Sequence, residues 1–248
     1  PVGYSSAGEV LEVGRHVDGF SIGDRVACAG VGYANHAEVV CVPKNLCVKL
    51  SDDADLKFAS YNSLGSIAMQ GVRLADLKLG ETCAVIGLGL IGQLTCLLLK
   101  ASGVKIVGID IDADAVSMAA LNGVDLPLER NSPGIHDLIR RFTKGLGIDS
   151  TIITAASSSL DPVNFAGEIA RKKGTVVIVG AVPTGFDRDP HYYNKELSLY
   201  MSCSYGPGRY DNNYEEKGFD YPPAYSRWTE NRNMQAFQDL LLTGSIDI

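Results

Sequence analysis

From Thr82 to Gly92 a short apolar run meets a Gly-x-Gly-x-x-Gly spacing that opens directly into a helical pattern. In a dinucleotide-binding strand–turn–helix unit each glycine has its own job. Gly87 turns sharply off the strand, Gly89 lets backbone pass close to a pyrophosphate, and Gly92 lets the helix pack tightly on the sheet. The diphosphate then rests on free N–H groups at a helix N-terminus. Leu88, Leu90 and Ile91 therefore join the three glycines as candidate cofactor-binding residues. With 27 glycines in 248 residues, the same spacing also describes a plain tight turn with no ligand. Context favours the binding reading. Ile91, Leu94, Leu97, Leu98 and Ala101 recur at helical spacing up to Gly103, and the next apolar run, Val104 to Ile109, ends in Asp110. That carboxylate falls where an adenosine ribose would be held by its hydroxyls.

Asp110 also bears on the choice of dinucleotide. A carboxylate repels a 2′-phosphate, and neither Ile111 nor Asp112 offers the cation that would welcome one, so NAD is expected over NADP. From residue 82 to about 180 strand and helix patterns alternate. Asp112 caps a helix that stops at Asn122-Gly123, Ser132-Pro133 starts another, and Thr151 to Thr154 is a short strand. Asp161-Pro162 starts a helix ending near Gly174, and Val176 to Val179 is a strand. This predicts an α/β chain with a doubly wound parallel sheet. Ligands of such sheets lie at the carboxyl ends of the strands, which adds Ala155, Ala156, Gly180 and Ala181 to the candidate cofactor contacts.

Residues 1–50 read instead as short strands with glycine-rich turns: Ala7 to Val13, the pair about Gly23-Asp24, where Asp24 shapes a turn, and a third run from Ala37 to Val42. Ser51-Asp52-Asp53 caps a helix from about Ala54, and Ile67 to Leu77 is helical. Residues 203–233 break the rhythm with five tyrosines and the single tryptophan, which suits either a substrate wall or lid, or an interface and packing element. A last helix runs from Glu230 to Leu242, stopped by Gly244. The net charge of -7 argues against nucleic acid or an anionic membrane as partner. No apolar run reaches the roughly 18 residues of a membrane span, and the cytosol is the expected compartment. Six scattered cysteines without a Cys-x-x-Cys pair are expected as free thiols, Cys83 and Cys96 among them buried.

Taken together these residues resemble the medium-chain dehydrogenase/reductase superfamily, of the alcohol and threonine dehydrogenase type. Gly3 to Val10, Val13-Gly14 and Gly23 to Val26 are similar to the signature of its GroES-like catalytic domain, and Gly87 to Gly92 with Asp110 to its cofactor domain. The resemblance implies a GroES-like domain at 1–55 lacking its first strands, a Rossmann NAD-binding domain at 56–200, and an aromatic loop and helix at 201–248. More narrowly, Ser204 to Asp211 and Arg227 to Glu230 resemble bacterial two-domain oxidoreductases in which such a module precedes one of the glucose-fructose oxidoreductase type. That implies a longer polypeptide with a linked second module, and the superfamily implies a homodimer.

The chain departs from the family at its metal. Zinc-dependent members carry Gly-His-Glu where this chain has Gly3-Tyr4-Ser5, and a cysteine or acidic residue near Asn62; a third ligand falls before Pro1. The four-cysteine structural lobe is absent as well, and His16, His36, His136 and His191 have no ligand spacing. No metal is expected. Tyr4 then becomes the first candidate to donate a proton to a developing alkoxide, with Asn62 or Ser63 orienting the substrate. The alternative for Tyr4 is a packed aromatic whose hydroxyl finds a backbone partner. The expected activity is NAD-dependent, zinc-independent hydride transfer to or from an alcohol or carbonyl on a small molecule, which the narrower resemblance implies is sugar-like. The competing expectation is a catalytically silent module that senses the dinucleotide or scaffolds a partner domain.

Overall fold

A computed structural model describes residues 2–248. The chain divides into two compact units, one built from residues up to Met69 together with Cys203–Ile248, the other from Gln70–Ser202.

The first unit begins with the strands β1 (Ser5–Glu9), β2 (Arg25–Ala29) and β3 (Cys47–Lys49), which pair antiparallel in that order. Asp24 shapes the turn before β2: one carboxylate oxygen accepts the Ser21 N–H at 2.8 Å and the other meets Lys49 Nζ at 2.7 Å. The third strand is not the run expected at 37–42. That segment is irregular and leaves Val39 exposed, because both edges of β2 are already taken, by β1 and by β3. Two helices follow, α1 (Leu56–Ala59) and α2 (Asn62–Ala75). The first starts two residues later than expected because Asp55, not the preceding Ser-Asp-Asp, caps it by accepting the Lys57 N–H. Ala27, Ala29, Val48, Leu50 and Ala59 form the core of this unit.

The second unit alternates strand and helix up to β8 and adds a last strand: β4 (Thr82–Ile86), α3 (Leu90–Ala101), β5 (Lys105–Asp110), α4 (Ala113–Leu121), β6 (Leu126–Glu129), α5 (Ile135–Phe142), β7 (Ile148–Ile153), α6 (Asp161–Ile169), β8 (Ala170–Ile178) and β9 (Ser198–Met201). All pairings are parallel and the spatial order is β6-β5-β4-β7-β8-β9. This is the Rossmann order, with its reversal between β4 and β7. Alternate side chains of the strands feed two cores. Cys83, Val85, Ile106, Ile152 and Val177 meet Cys96, Leu99 and Ala119 on one face. Ala84, Ile86, Val107, Ile153 and Val176 meet Ile139, Phe165 and Ile169 on the other. Burial on both faces is why these strands read as continuous apolar runs. Helix α6 ends at Ile169 rather than near Gly174. Lys195 caps its end, donating from Nζ to the carbonyls of Gly167, Glu168 and Ala170 at 2.9, 2.7 and 2.8 Å, and the chain enters β8 at once.

Past Ser202 the chain rejoins the first unit with the short α7 (Asn212–Glu215) and α8 (Glu230–Leu242). The bounds of α8 coincide with the sequence expectation, and Thr229 caps it by accepting the Arg232 N–H. Among the described residues all six cysteines are free, with Cys28, Cys83 and Cys96 buried. No described helix is long and apolar enough to cross a membrane.

Candidate functional site

The Gly-x-Gly-x-x-Gly segment runs from the end of β4 into the first turn of α3, beside the reversal of strand order. Gly87 sits at φ +97, a conformation that side chains rarely adopt, and a Cβ there would lie 2.5 Å from the Ala155 nitrogen. A Cβ at Gly92 would lie 2.0 Å from the Gly87 carbonyl oxygen, so the helix cannot approach the turn with any larger residue. At Gly89 the same test meets nothing within 4 Å: the space is open. Gly89 is also the N-cap of α3 and provides no side-chain acceptor, which leaves main-chain N–H groups at the helix start free for an anion.

The other strand ends converge on this turn. Both Asp110 oxygens are engaged, Oδ2 by the Leu88 N–H and Oδ1 by the Asp112 N–H at 3.0 Å. An ionised carboxylate has about four acceptor positions, so two remain for ribose hydroxyls. Ile111, the next residue, is exposed. Thr154 and Ala155 donate their N–H groups to the Ile86 carbonyl at 2.9 and 3.0 Å, and Gly180 donates to Ile153 at 2.9 Å. A Cβ on Gly180 would come within 2.1 Å of the Ala155 carbonyl oxygen. Ala156 follows in the same loop, and Ser157 N–H closes it onto the Ala181 carbonyl at 2.9 Å. Thus every cofactor residue expected from sequence lies at, or one turn beyond, the carboxyl end of β4, β5, β7 or β8. Two shaping residues went unrecognised. Thr154 Oγ1 donates to the Gly87 carbonyl, fixing the turn. Gln93 Nε2 donates to the carbonyls of Leu88 and Ala115 at 2.9 and 3.0 Å, tying the turn to α4. The position of Thr154, directly before the Ala155-Ala156 pair, was the available signal for the first; the second had none.

The candidate catalytic residues belong to the first unit. Tyr4 is half-buried just before β1, and its carbonyl accepts from Gly30 N–H at 3.1 Å and from Ser63 Oγ at 2.8 Å. Ser63 is fully buried and its hydroxyl is committed to that bond. Asn62 is fully buried too; its Oδ1 accepts from Gln238 Nε2 at 2.9 Å, while its Nδ2 has no hydrogen-bond partner. An amide donor left in this state costs about 1–3 kcal/mol unless an acceptor reaches it. As for a metal, the described residues contain no group of three or more His, Cys, Asp or Glu placed to hold one.

Residues 203–229 form a built structure rather than an open loop. Tyr205 and Tyr214 are buried, whereas Tyr210 and Tyr225 are exposed. The first turn of α8 holds the segment: Arg232 donates to the carbonyls of Ser226 and Tyr221 at 2.7 and 2.9 Å, and Asn233 to that of Tyr205 at 2.9 Å. Arg209 pairs with Glu215 at 2.6 Å in a mostly buried setting. Beside them Glu230 is completely buried with neither carboxylate oxygen partnered. Burial, reinforced by Glu215 and opposed by Arg209, pushes its carboxyl up to about 8. Tyr205 OH and Arg209 Nε are also without partners.

Family comparison matches residues 91–217 to a model described as zinc-binding dehydrogenase and residues 1–52 to one described as alcohol dehydrogenase GroES-like domain. Among characterised relatives, D-guloside 3-dehydrogenase of Escherichia coli K12 is 27% identical over 255 residues, spanning 99% of this chain and 67% of the relative. Two solved structures share the fold. One from Sinorhizobium meliloti 1021, bound to NADP, has a TM-score of 0.75 at 22% identity and covers 100% of this chain and 74% of its own. A short chain alcohol dehydrogenase from E. coli CFT073, complexed with NADH, has a TM-score of 0.76 at 18% identity and covers 99% and 73%.

Proposed function

Because the chain belongs to the zinc-binding dehydrogenase family and is an oxidoreductase of the medium-chain dehydrogenase/reductase type, we propose that it transfers a hydride between NAD(H) and a hydroxyl or carbonyl carbon of a sugar-like small molecule, without zinc. The observation that carries this reading is the convergence of an uncapped helix start, an open position at Gly89 and the Asp110 carboxylate at the carboxyl ends of β4 and β5. Free N–H groups at the start of α3 suit the diphosphate, and the two remaining acceptor positions of Asp110 suit the ribose hydroxyls. NAD, when bound, supplies the hydride donor or acceptor. A 2′-phosphate would meet the Asp110 charge, which favours NAD over NADP.

In this reading the phenol of Tyr4 gives a proton to the substrate oxygen during reduction and takes it back during oxidation. Asn62 Nδ2, the unpartnered buried donor, orients the oxygen-bearing end of the substrate. Ser63 is a positioning residue: it holds the Tyr4 main chain through its bond to the carbonyl. The zinc-free mechanism is supported by Tyr4, Ser5 and Asn62 at the positions of family ligands. The sugar-like substrate is supported by the guloside dehydrogenase relative. We infer that the protein acts in the cytoplasm as a homodimer. The stretches 204–211 and 227–230 support a second oxidoreductase module in the same polypeptide.

The test is to incubate purified full-length protein with NAD and a panel of polyols, glycosides and simple alcohols, following formation of reduced nicotinamide, with metal content measured in parallel. Turnover on glycosides or polyols with zinc well below stoichiometric is expected. NADH binding with no turnover across the panel would point to a silent sensing or scaffolding module, and stoichiometric zinc would overturn the metal-free mechanism.

A further inference from the structure

Cys28 on β2 and Cys47 on β3 are direct cross-strand partners in the antiparallel sheet. Their sulfur atoms are 3.5 Å apart. Directly opposed residues of an antiparallel pair have Cα atoms about 4.5 or 5.5 Å apart, and both spacings lie within the range a disulfide needs. Rotation about the two Cα–Cβ bonds can therefore bring the sulfurs from contact to the roughly 2.05 Å of a covalent bond without moving the strands. The remaining cysteines lack this arrangement: Cys83 and Cys96 are buried in the other unit, and Cys41 and Cys203 are exposed.

We propose that Cys28 and Cys47 form a reversible dithiol–disulfide site that latches β2 to β3. Burial alone would make both thiols inert, yet the sulfur contact splits them: the hydrogen bond with Cys47 lowers the Cys28 thiol, and that bond together with burial pushes Cys47 up. The contact biases Cys28 towards the thiolate that attacks an oxidant and keeps a resolving thiol beside it. Cys47 is only partly buried, which gives a small oxidant access. With a diazenedicarboxamide as oxidant, one thiolate adds to a nitrogen of the N=N bond and forms an S–N bond. The second sulfur then attacks the first, breaking S–N and forming S–S. Two electrons and two protons leave the thiols and convert the diazene to a hydrazine. The bond would close across 19 positions of chain.

Its position gives the latch a mechanical consequence. The Cys47 carbonyl accepts Asn231 Nδ2 at 2.9 Å, the same amide that binds the Asn45 carbonyl at 2.9 Å, and Asn45 Nδ2 in turn holds the Tyr214 carbonyl at 2.8 Å. Tightening β3 against β2 thus stiffens the anchor of both α8 and the 203–229 segment.

The test treats the intact protein with the diazenedicarboxamide diamide, alkylates remaining thiols and maps peptides by mass. The expected result is one intramolecular cross-link joining Cys28 to Cys47, and a melting midpoint raised by about 5–10 °C, reversed by dithiothreitol. Cys41→Ser should leave both effects intact, and Cys47→Ala should abolish both. A cross-link to Cys41 or Cys203, intermolecular products alone, or Cys28 and Cys47 both recovered alkylated after treatment would overturn the proposal; mapping the unmutated protein decides it even if a variant folds poorly.

Discussion

At the carboxyl end of β4 the groups offered to a ligand are main-chain N–H groups and one carboxylate, and they are aimed by glycines that clear space for the backbone. Around Glu230 the chain does the reverse: side chains fill a buried interior, and Glu230, Tyr205 and Arg209 each keep at least one polar atom with no partner. The first region is built for something to arrive. The second stores an electrostatic cost within the fold, which neutralisation of Glu230 relieves. Backbone sites depend on steric permission and so respond to added methyl groups; side-chain clusters depend on charge and so respond to pH.

The largest effect should come from filling the turn. Gly92→Val places carbon atoms inside the van der Waals radius of the Gly87 carbonyl, and should cost about 3 kcal/mol or more in chemical denaturation together with loss of measurable NAD binding. If that variant keeps both, the turn is not sterically defined.

Next comes the pH response of the second region. The folded-state value of Glu230, about 8, lies above the 4.5 of the free side chain, so between those values the folded chain holds a proton that the unfolded chain has released. The stability this contributes is complete below about pH 4.5 and is lost as pH rises through about 8. Glu230→Gln should flatten that slope, gaining on the order of 2–3 kcal/mol relative to the parent between about pH 5 and pH 8.5 in denaturation curves. A parent and variant with parallel pH profiles would show that the carboxyl is ionised or hydrated in the fold.

A smaller change should follow at Asn45, whose amide holds the Tyr214 carbonyl from 169 positions away. Asn45→Ala leaves that carbonyl unsatisfied and should cost about 1–2 kcal/mol while leaving NAD affinity unchanged. Smallest in stability is Gly89→Ala. Its φ is -63 and its Cβ meets nothing, so the unfolding free energy should stay within about 0.5 kcal/mol of the parent while NAD affinity drops about tenfold. Unchanged affinity would remove Gly89 from the binding surface.

The same contrast explains what could be read from sequence. The Rossmann order and the glycine turn were legible because a buried parallel strand is one apolar run, and because the three glycines fall at fixed spacing within six residues, although the contact that demands Gly87 comes from distant Ala155. The bounds of α8 were legible from Thr229 and Gly244, again local. The start of β3 and the end of α6 were not. β3 was hidden because Ala37 to Val42 has an equally apolar pattern and only pairing with β2 decides between them. The end of α6 is fixed by Lys195, well downstream in the chain. Likewise Tyr4, Asn62 and Ser63 could be singled out by position, but not the use of the Ser63 hydroxyl on Tyr4, the pairing of Asn62 with Gln238, or the stranded Asn62 Nδ2. Those depend on contacts across 59 and 176 positions, which no short pattern records.

The central claim is that Gly87–Gly92 with Asp110 holds NAD. Titration of the parent and of Asp110→Ala with NADH and NADPH, read by reduced-nicotinamide fluorescence, tests it most directly. The account predicts that the parent prefers NADH by about tenfold or more, and that the variant weakens NADH by about 10- to 100-fold while NADPH affinity holds or improves. Equal losses for both dinucleotides, or a variant that binds NADH as the parent does, would contradict it.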